Sequence, residues 1–236
     1  MEYKAVFQRY ELKYLLNRSQ KERIQETIQA YMQLDQYGRT TIRNLYFDTE
    51  NYRLIRRSIE KPVYKEKIRI RSYWNEKSDD KVFVELKKKY KKVVYKRRLN
   101  MTEEAAVKWL KGEAPCEIDS QISREIDYFI SYYGKLQPVL FLSYEREAYY
   151  CRDGGDFRIT FDENILCRQN NIGFHEEGGI PVLDSDKVLM EIKCSGGMPL
   201  WMTEVLSREK IYKTSFSKYG TAYQKIIYPN MKGEQR

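Results

Sequence analysis

Histidine is nearly absent: the 236-residue chain has one, His175, in a glycine-rich stretch. A lone loop histidine is ordinarily solvated, so histidine-centred acid–base chemistry has little to work with. The four cysteines, Cys116, Cys151, Cys167 and Cys194, are scattered without a CxxC pair, which excludes a cysteine zinc site. Free thiols filling apolar positions are expected. No Pro/Gly/Ser-rich linker divides the chain, so residues 1–236 read as one domain. No apolar run approaches a membrane span, and Met1-Glu2-Tyr3-Lys4 does not read as a signal peptide. A reducing cytoplasm is the expected compartment. No GxxxxGK[ST] loop is present, and Gly154-Gly155 and Gly196-Gly197 read as turns.

Positive charge and tyrosine are plentiful. The formal net charge is +9, and 21 tyrosines raise the aromatic share to 14%. A basic balance points to an acidic partner: nucleic acid, anionic lipid or a phosphate compound. The basic residues sit mostly at period two, which is how a strand face is built and not how a disordered basic arm is built.

Lys65, Lys67, Arg69 and Arg71 fall on one face of such a strand, with Ile68 and Ile70 opposite. Val82 to Lys88 sets Glu85 and Lys87 against Val82, Val84 and Leu86. Arg9, Glu11 and Lys13 oppose Tyr10, Leu12 and Tyr14. Arg158, Thr160 and Asp162 oppose three apolar side chains, and Glu191 and Lys193 oppose Met190, Ile192 and Cys194. An antiparallel sheet with a wet charged face accounts for this. So does a barrel whose charged faces point inward around an anion.

The order of elements bears on that choice. Strands are expected at 7–14, 40–48, 63–73, 81–88, 93–99, 138–150, 157–163 and 187–194, with a hairpin loop at 75–80 and loop-like chain with short extended pieces over 164–186. A helix opens at Asn17, with Gln20 at the capping-box position and Ile24, Ile28, Tyr31 and Leu34 as its apolar stripe. A short helix follows Asp48-Thr49-Glu50-Asn51. Others begin at Thr102, with Val107 and Leu110 inward, and at Ser120, with Ile122, Ile126, Phe129 and Ile130 inward. Stretches 201–208 and 217–227 also read as helical. Eight strands suit a closed barrel, amphipathic helices can cover its outer apolar faces, and a cationic interior requires anions to compensate. The expected fold is α+β, an eight-stranded, mainly antiparallel barrel with a charged interior.

Arginine binds phosphate oxygens bidentately and lysine supplies a point charge. The interspersed carboxylates Glu11, Glu85, Asp162 and Glu191 are hard oxygen donors suited to Mg²⁺ or Mn²⁺. Such a set reads as a metal–triphosphate site, where positioning and charge neutralisation suffice and no nucleophilic triad is needed.

Tyr46-Phe47-Asp48-Thr49, Lys67 to Arg71, Glu85-Leu86-Lys87, Ser143 to Arg146, Asp156 to Asp162, Glu191-Ile192-Lys193 and Ser215 to Tyr219 occur in this order. Together they resemble the VTC domain, the polyphosphate polymerase branch of the triphosphate tunnel metalloenzyme (CYTH-like) superfamily, from about Phe7 to Tyr223. The resemblance implies transfer of the ATP γ-phosphate to a growing polyphosphate chain, with Mn²⁺ or Mg²⁺. It implies phosphate-gripping roles for Lys13, Arg69, Arg71, Lys87, Arg146, Arg158 and Lys193, and a metal role for Glu191. Tyr144 is implied to contact the nucleotide or phosphate chain, and Ser217 and Lys218 to lie near the tunnel. Lys67, Lys96 and Arg98 would join the basic wall. The expected partners are ATP and polyphosphate or another triphosphate. Nucleic acid is a weaker candidate, and coupling to a membrane would need a separate partner protein. Superfamily hydrolases and cyclases open with Glu-x-Glu-x-Lys; here Arg9 stands at the first Glu, which resembles the polymerase branch. An inorganic or nucleoside triphosphatase of the same fold, or a non-catalytic polyphosphate-binding module, are the alternatives.

Overall fold

A computed structural model describes residues 10–74, 81–91 and 93–233. The start of the first expected strand, Arg9, and the 75–80 loop lie outside them. In chain order the elements are β1 (Tyr10–Asn17), α1 (Arg18–Ile28), β2 (Met32–Leu34), β3 (Thr40–Asp48), α2 (Arg53–Ile59), β4 (Tyr64–Trp74), β5 (Lys81–Tyr90), β6 (Val93–Thr102), α3 (Glu103–Lys111) and α4 (Gln121–Tyr133). Then come β7 (Gln137–Cys151), β8 (Arg158–Arg168), β9 (Ile180–Pro181), β10 (Lys187–Cys194), α5 (Leu200–Arg208), β11 (Lys213–Thr214), α6 (Lys218–Ala222), a π-helical turn (Tyr223–Ile227) and α7 (Tyr228–Gly233).

The strands pair in the order β11-β1-β10-β8-β7-β3-β4-β5-β6, with β2 on β7 and β9 on β8. Eight are long, as expected; β2, β9 and β11 are pieces of two or three residues. The order is open, and among the described residues no pairing joins β6 to β11. Both end strands discourage one: β11 is only Lys213–Thr214, and β6 carries Lys96, Arg97 and Arg98.

Two compact units emerge. One comprises Met1–Thr40, Tyr144–Ile165 and Leu183–Phe216; the other comprises Thr41–Ser143, Leu166–Val182 and Ser217–Arg236. In the first, the apolar faces of β1, β8 and β10 (Tyr14, Leu16, Ile159, Phe161, Met190, Ile192, Cys194) bury against Ile24 and Ile28 of α1 and Met202, Val205 and Leu206 of α5. In the second, Ile68, Ile70, Val82, Val84 and Leu86 of β4 and β5 bury against Trp109 and Leu110 of α3 and Ile126 and Phe129 of α4. Each such aliphatic side chain contributes about 1.5–3 kcal/mol when fully buried. Helices thus cover the apolar strand faces, and the opposite faces carry the charge.

Local signals set most boundaries. Asn17 Oδ1 accepts from Gln20 N–H at 2.8 Å while Gln20 Oε1 accepts from Asn17 N–H at 3.1 Å, the expected capping box. Helix α1 stops at Ile28, however, so Tyr31 and Leu34 leave the stripe: both are exposed, and Met32–Leu34 pairs with β7. In the 164–186 stretch, expected as loop-like with short extended pieces, residues 164–168 continue β8, with Ile165 and Cys167 buried on alternate positions, and Ile180–Pro181 forms β9. All four cysteines are free, Cys167 and Cys194 buried.

Candidate functional site

In the second unit the register of β3, β4, β5 and β6 sets charged side chains directly opposite one another. One row is Tyr46–Arg69–Glu85–Arg98, and the next is Lys67–Lys87–Lys96. Glu85 is the hub. Its side chain is 2% exposed, and Oε2 accepts from Arg69 Nε at 3.0 Å and Nη2 at 2.8 Å. Oε1 lies 2.7 Å from Lys96 Nζ and accepts from Arg98 Nε at 2.8 Å, while Arg71 Nε stands 3.7 Å from Oε2. Burial alone would raise this carboxyl's pKa; Arg69, Arg71 and Lys96 outweigh it and hold the group ionised far below the usual range. One buried negative charge therefore serves four positive ones.

Two tyrosines and an asparagine complete this cluster. Tyr46 Oη accepts from Arg69 Nη1 at 2.9 Å, and its phenol sits below its ordinary pKa: burial raises it, but Arg69 and Arg71 prevail. Asn44 Oδ1 accepts from Arg71 Nε at 3.0 Å, and Tyr73 Oη accepts from Arg98 Nη2 at 2.6 Å. Ser217 caps α6, its Oγ accepting from Gly220 N–H at 3.1 Å and from Lys67 Nζ at 2.9 Å. Lys218 follows it, buried. Behind them, buried Asp48 accepts from Leu54 N–H, Ile55 N–H and Tyr219 Oη at 2.8, 3.0 and 2.9 Å. Asp48 therefore supplies the first-turn cap of α2, which Tyr52 does not, and ties α6 to β3.

The first unit repeats the design on β1, β10 and β8. Glu11–Lys193–Arg158 form one row and Lys13–Glu191–Thr160 the next. Lys13 Nζ lies 3.2 Å from Glu191, 3.3 Å from Glu11 and 3.0 Å from the Phe216 carbonyl oxygen. Burial lowers the Lys13 pKa, but Glu191 and Glu11 more than reverse this, so it stays charged. Arg146 of β7 donates to both oxygens of fully buried Asp162, at 2.6 and 2.7 Å, and approaches Glu191 at 3.6 Å. Tyr144 lies beneath that guanidinium, ring centroid 5.1 Å away. Glu145 and Glu147 are not its partners; they point to the other face, toward Arg39 and Lys21. Arg158 stacks on Tyr150 at 4.4 Å. Its Nε and Thr160 Oγ1 are buried with no hydrogen-bond partner among the described residues, an arrangement that a bound oxyanion or water would satisfy.

A strand lattice bearing arginine and lysine in excess over carboxylate suits a condensed phosphate. The comparison with known families agrees: the VTC domain matches residues 8–227. The chain belongs to the VTC domain family. No curated protein matches it significantly. Among solved structures, a proposed adenylate cyclase from Bacillus halodurans is 14% identical with a TM-score of 0.55, covering 89% of this chain and 95% of that one. A Hippeastrum protein, named a proposed adenylyl cyclase with a dominant triphosphatase activity, is 17% identical with a TM-score of 0.54, covering 91% and 94%. At these identities the likeness concerns the fold, here the triphosphate-tunnel (CYTH) type.

The donor set of this VTC domain also bears on metal. Among the described residues no three His, Cys, Asp or Glu side chains gather as a metal cage. Glu191 lies beside Lys13, which Glu11 also pairs, and Arg146, which Asp162 also pairs. A hard divalent cation held there would complete its oxygen shell with phosphate and water, a usual arrangement for Mg²⁺. His175 is exposed, 3.5 Å from Glu103. Reading the sequence picked out the cations but missed Tyr46, Tyr73, Asp48 and Tyr219 as their supports. Alternation placed Tyr73 on the Arg69–Arg71 face, and the other three lie inside the ordered motifs. Among the described residues no helix is long and apolar enough to cross a membrane.

Proposed function

We propose that this VTC domain is an ATP-dependent polyphosphate polymerase, transferring the γ-phosphate of ATP to a growing polyphosphate chain and releasing ADP. The observation that carries the reading is Glu85: four cations gather around one buried carboxylate, a density of positive charge and N–H donors that phosphate oxygens would engage. Arg69, Arg71, Lys87, Lys96 and Arg98, with Lys67, Ser217 and Lys218, would grip and align phosphates. Lys13, Arg146, Arg158 and Lys193, with Tyr144, would do the same in the first unit. Glu191 would hold Mn²⁺ or Mg²⁺, which neutralises phosphate charge when bound. Phosphoryl transfer requires alignment and charge stabilisation more than a protein nucleophile, which suits a cluster of cations without a triad.

Incubation with ATP and Mn²⁺ or Mg²⁺, followed by gel analysis, tests this. Long polyphosphate with ADP supports the polymerase. Orthophosphate without polymer would replace it with a triphosphatase, the activity named for the Hippeastrum neighbour. Tight tripolyphosphate binding without turnover would leave a binding module.

A further inference from the structure

Tyr73 stands one step beyond Arg71 on the charged face of β4. Its phenolic oxygen accepts from Arg98 Nη2 at 2.6 Å and, less closely, from Arg71 Nη1 at 3.4 Å. The Arg98 guanidinium also covers the Tyr73 ring at 5.5 Å and the Phe83 ring at 4.5 Å, and the two rings meet edge to face. Arg98 is thus held on one side by Glu85 and on the other by a neutral oxygen. Tyr73 is 37% exposed, so its side chain is not locked into the core.

We propose that Tyr73 is an internal competitor for phosphate: its oxygen occupies donors of Arg98 and Arg71 that a phosphate oxygen would take, and substrate must displace it. This rests on the phosphate reading of the Glu85 cluster. Among the described residues the charged groups facing the phenol are Arg71 on its own strand, Arg98 on β6 and Glu85 on β5; Ile42, opposite on β3, is neutral. Burial pushes the phenol up and Glu85 opposes its ionisation, but Arg71 and Arg98 prevail and hold its pKa at about 8. Above that pH the competitor is an anion, and displacing it requires proton uptake. Competition therefore sharpens as pH rises.

The test is calorimetric titration of the full chain with inorganic tripolyphosphate, wild type against Tyr73→Phe, between about pH 7 and pH 9. The ligand's own titration is common to both proteins and cancels. Relative to Tyr73→Phe, wild-type affinity should fall by up to about tenfold per pH unit above 8, the limit for one linked proton. At pH 9 Tyr73→Phe should bind several-fold more tightly. Equal affinities across the range would make Tyr73 a spectator, and weaker binding by Tyr73→Phe would make it a phosphate contact; either overturns the proposal alone. Failure of wild type to bind tripolyphosphate at any pH would overturn the phosphate reading together with it.

Discussion

Glu85 and Arg69 touch each other, yet their removal should have opposite consequences. Glu85→Gln removes the buried charge that Arg69, Arg71, Lys96 and Arg98 share. Breaking a buried ionic cluster at a shared acid costs about 3–5 kcal/mol, measurable by urea unfolding. Tripolyphosphate should restore much of that loss, because it supplies the missing negative charge. The pH dependence has a definite sign. The folded-state pKa of Glu85 is depressed, so its contribution is full above the unfolded carboxylate value of about 4.3 and is lost as pH falls below it. The gap between wild type and Glu85→Gln should therefore shrink on acidification below about pH 4; a gap that widened would contradict the charge assignment. Arg69→Ala, in contrast, leaves three cations on Glu85. It should fold normally and lose about 1.5–3 kcal/mol of tripolyphosphate affinity, the range for a hydrogen bond to a charged group. Alternation in the sequence identified Arg69 as a candidate. It could not show that Glu85 serves as counter-ion to four cations, because that depends on the register of β4, β5 and β6.

Among the elements, α6 depends most on a distant residue. It has five residues, too few to be stable alone. Ser217 caps it, and Tyr219 ties it to Asp48 while stacking on Tyr46 at 4.7 Å. Gly220 suits the cap: a Cβ there would crowd Ser217 Cβ and Oγ at 3.1 Å. Tyr219→Phe keeps the stacked ring and removes the hydroxyl, leaving Asp48 one donor short. The expected cost is about 1–3 kcal/mol, with faster amide exchange over 218–227 and little change over α3 or α4. Uniform exchange across the chain would mean the tether is dispensable. The strands and capped helices of this fold were legible because period-two alternation and caps such as Asn17/Gln20 are local. The end of α1 at Ile28 and the extension of β8 to Arg168 were not, since Met32–Leu34 and Leu166–Cys167 are fixed by pairing with β7 and β9.

At the scale of the molecule, the net charge of +9 matters less than where its counter-ions lie. Lys21 is as buried as many of the candidate cations, but it sits between Glu147 at 2.8 Å and Glu163 at 3.2 Å, with Arg39 and Glu145 alongside. There two cations meet three carboxylates, and no anion is needed. Among the described residues, the ion pairs around Glu85 bring four cations to one carboxylate. Non-specific attraction by the whole charge would be weakened equally by losing Lys21 or Arg71. Binding at a cation surplus would not. Lys21→Met should therefore lower stability, by leaving Glu147 and Glu163 with Arg39 as their one remaining shared partner among the described residues, and leave tripolyphosphate affinity within about twofold. The double change Arg69→Ala/Arg71→Ala should abolish the thermal stabilisation that ligand gives wild type, about 2.7 kcal/mol at a hundred times Kd. Lys193→Ala, in the other unit, should keep the fold and lose turnover with ATP. If Lys21→Met instead weakened binding as much as the single change Arg69→Ala, the attraction would belong to the overall charge, and the phosphate site would lose its basis.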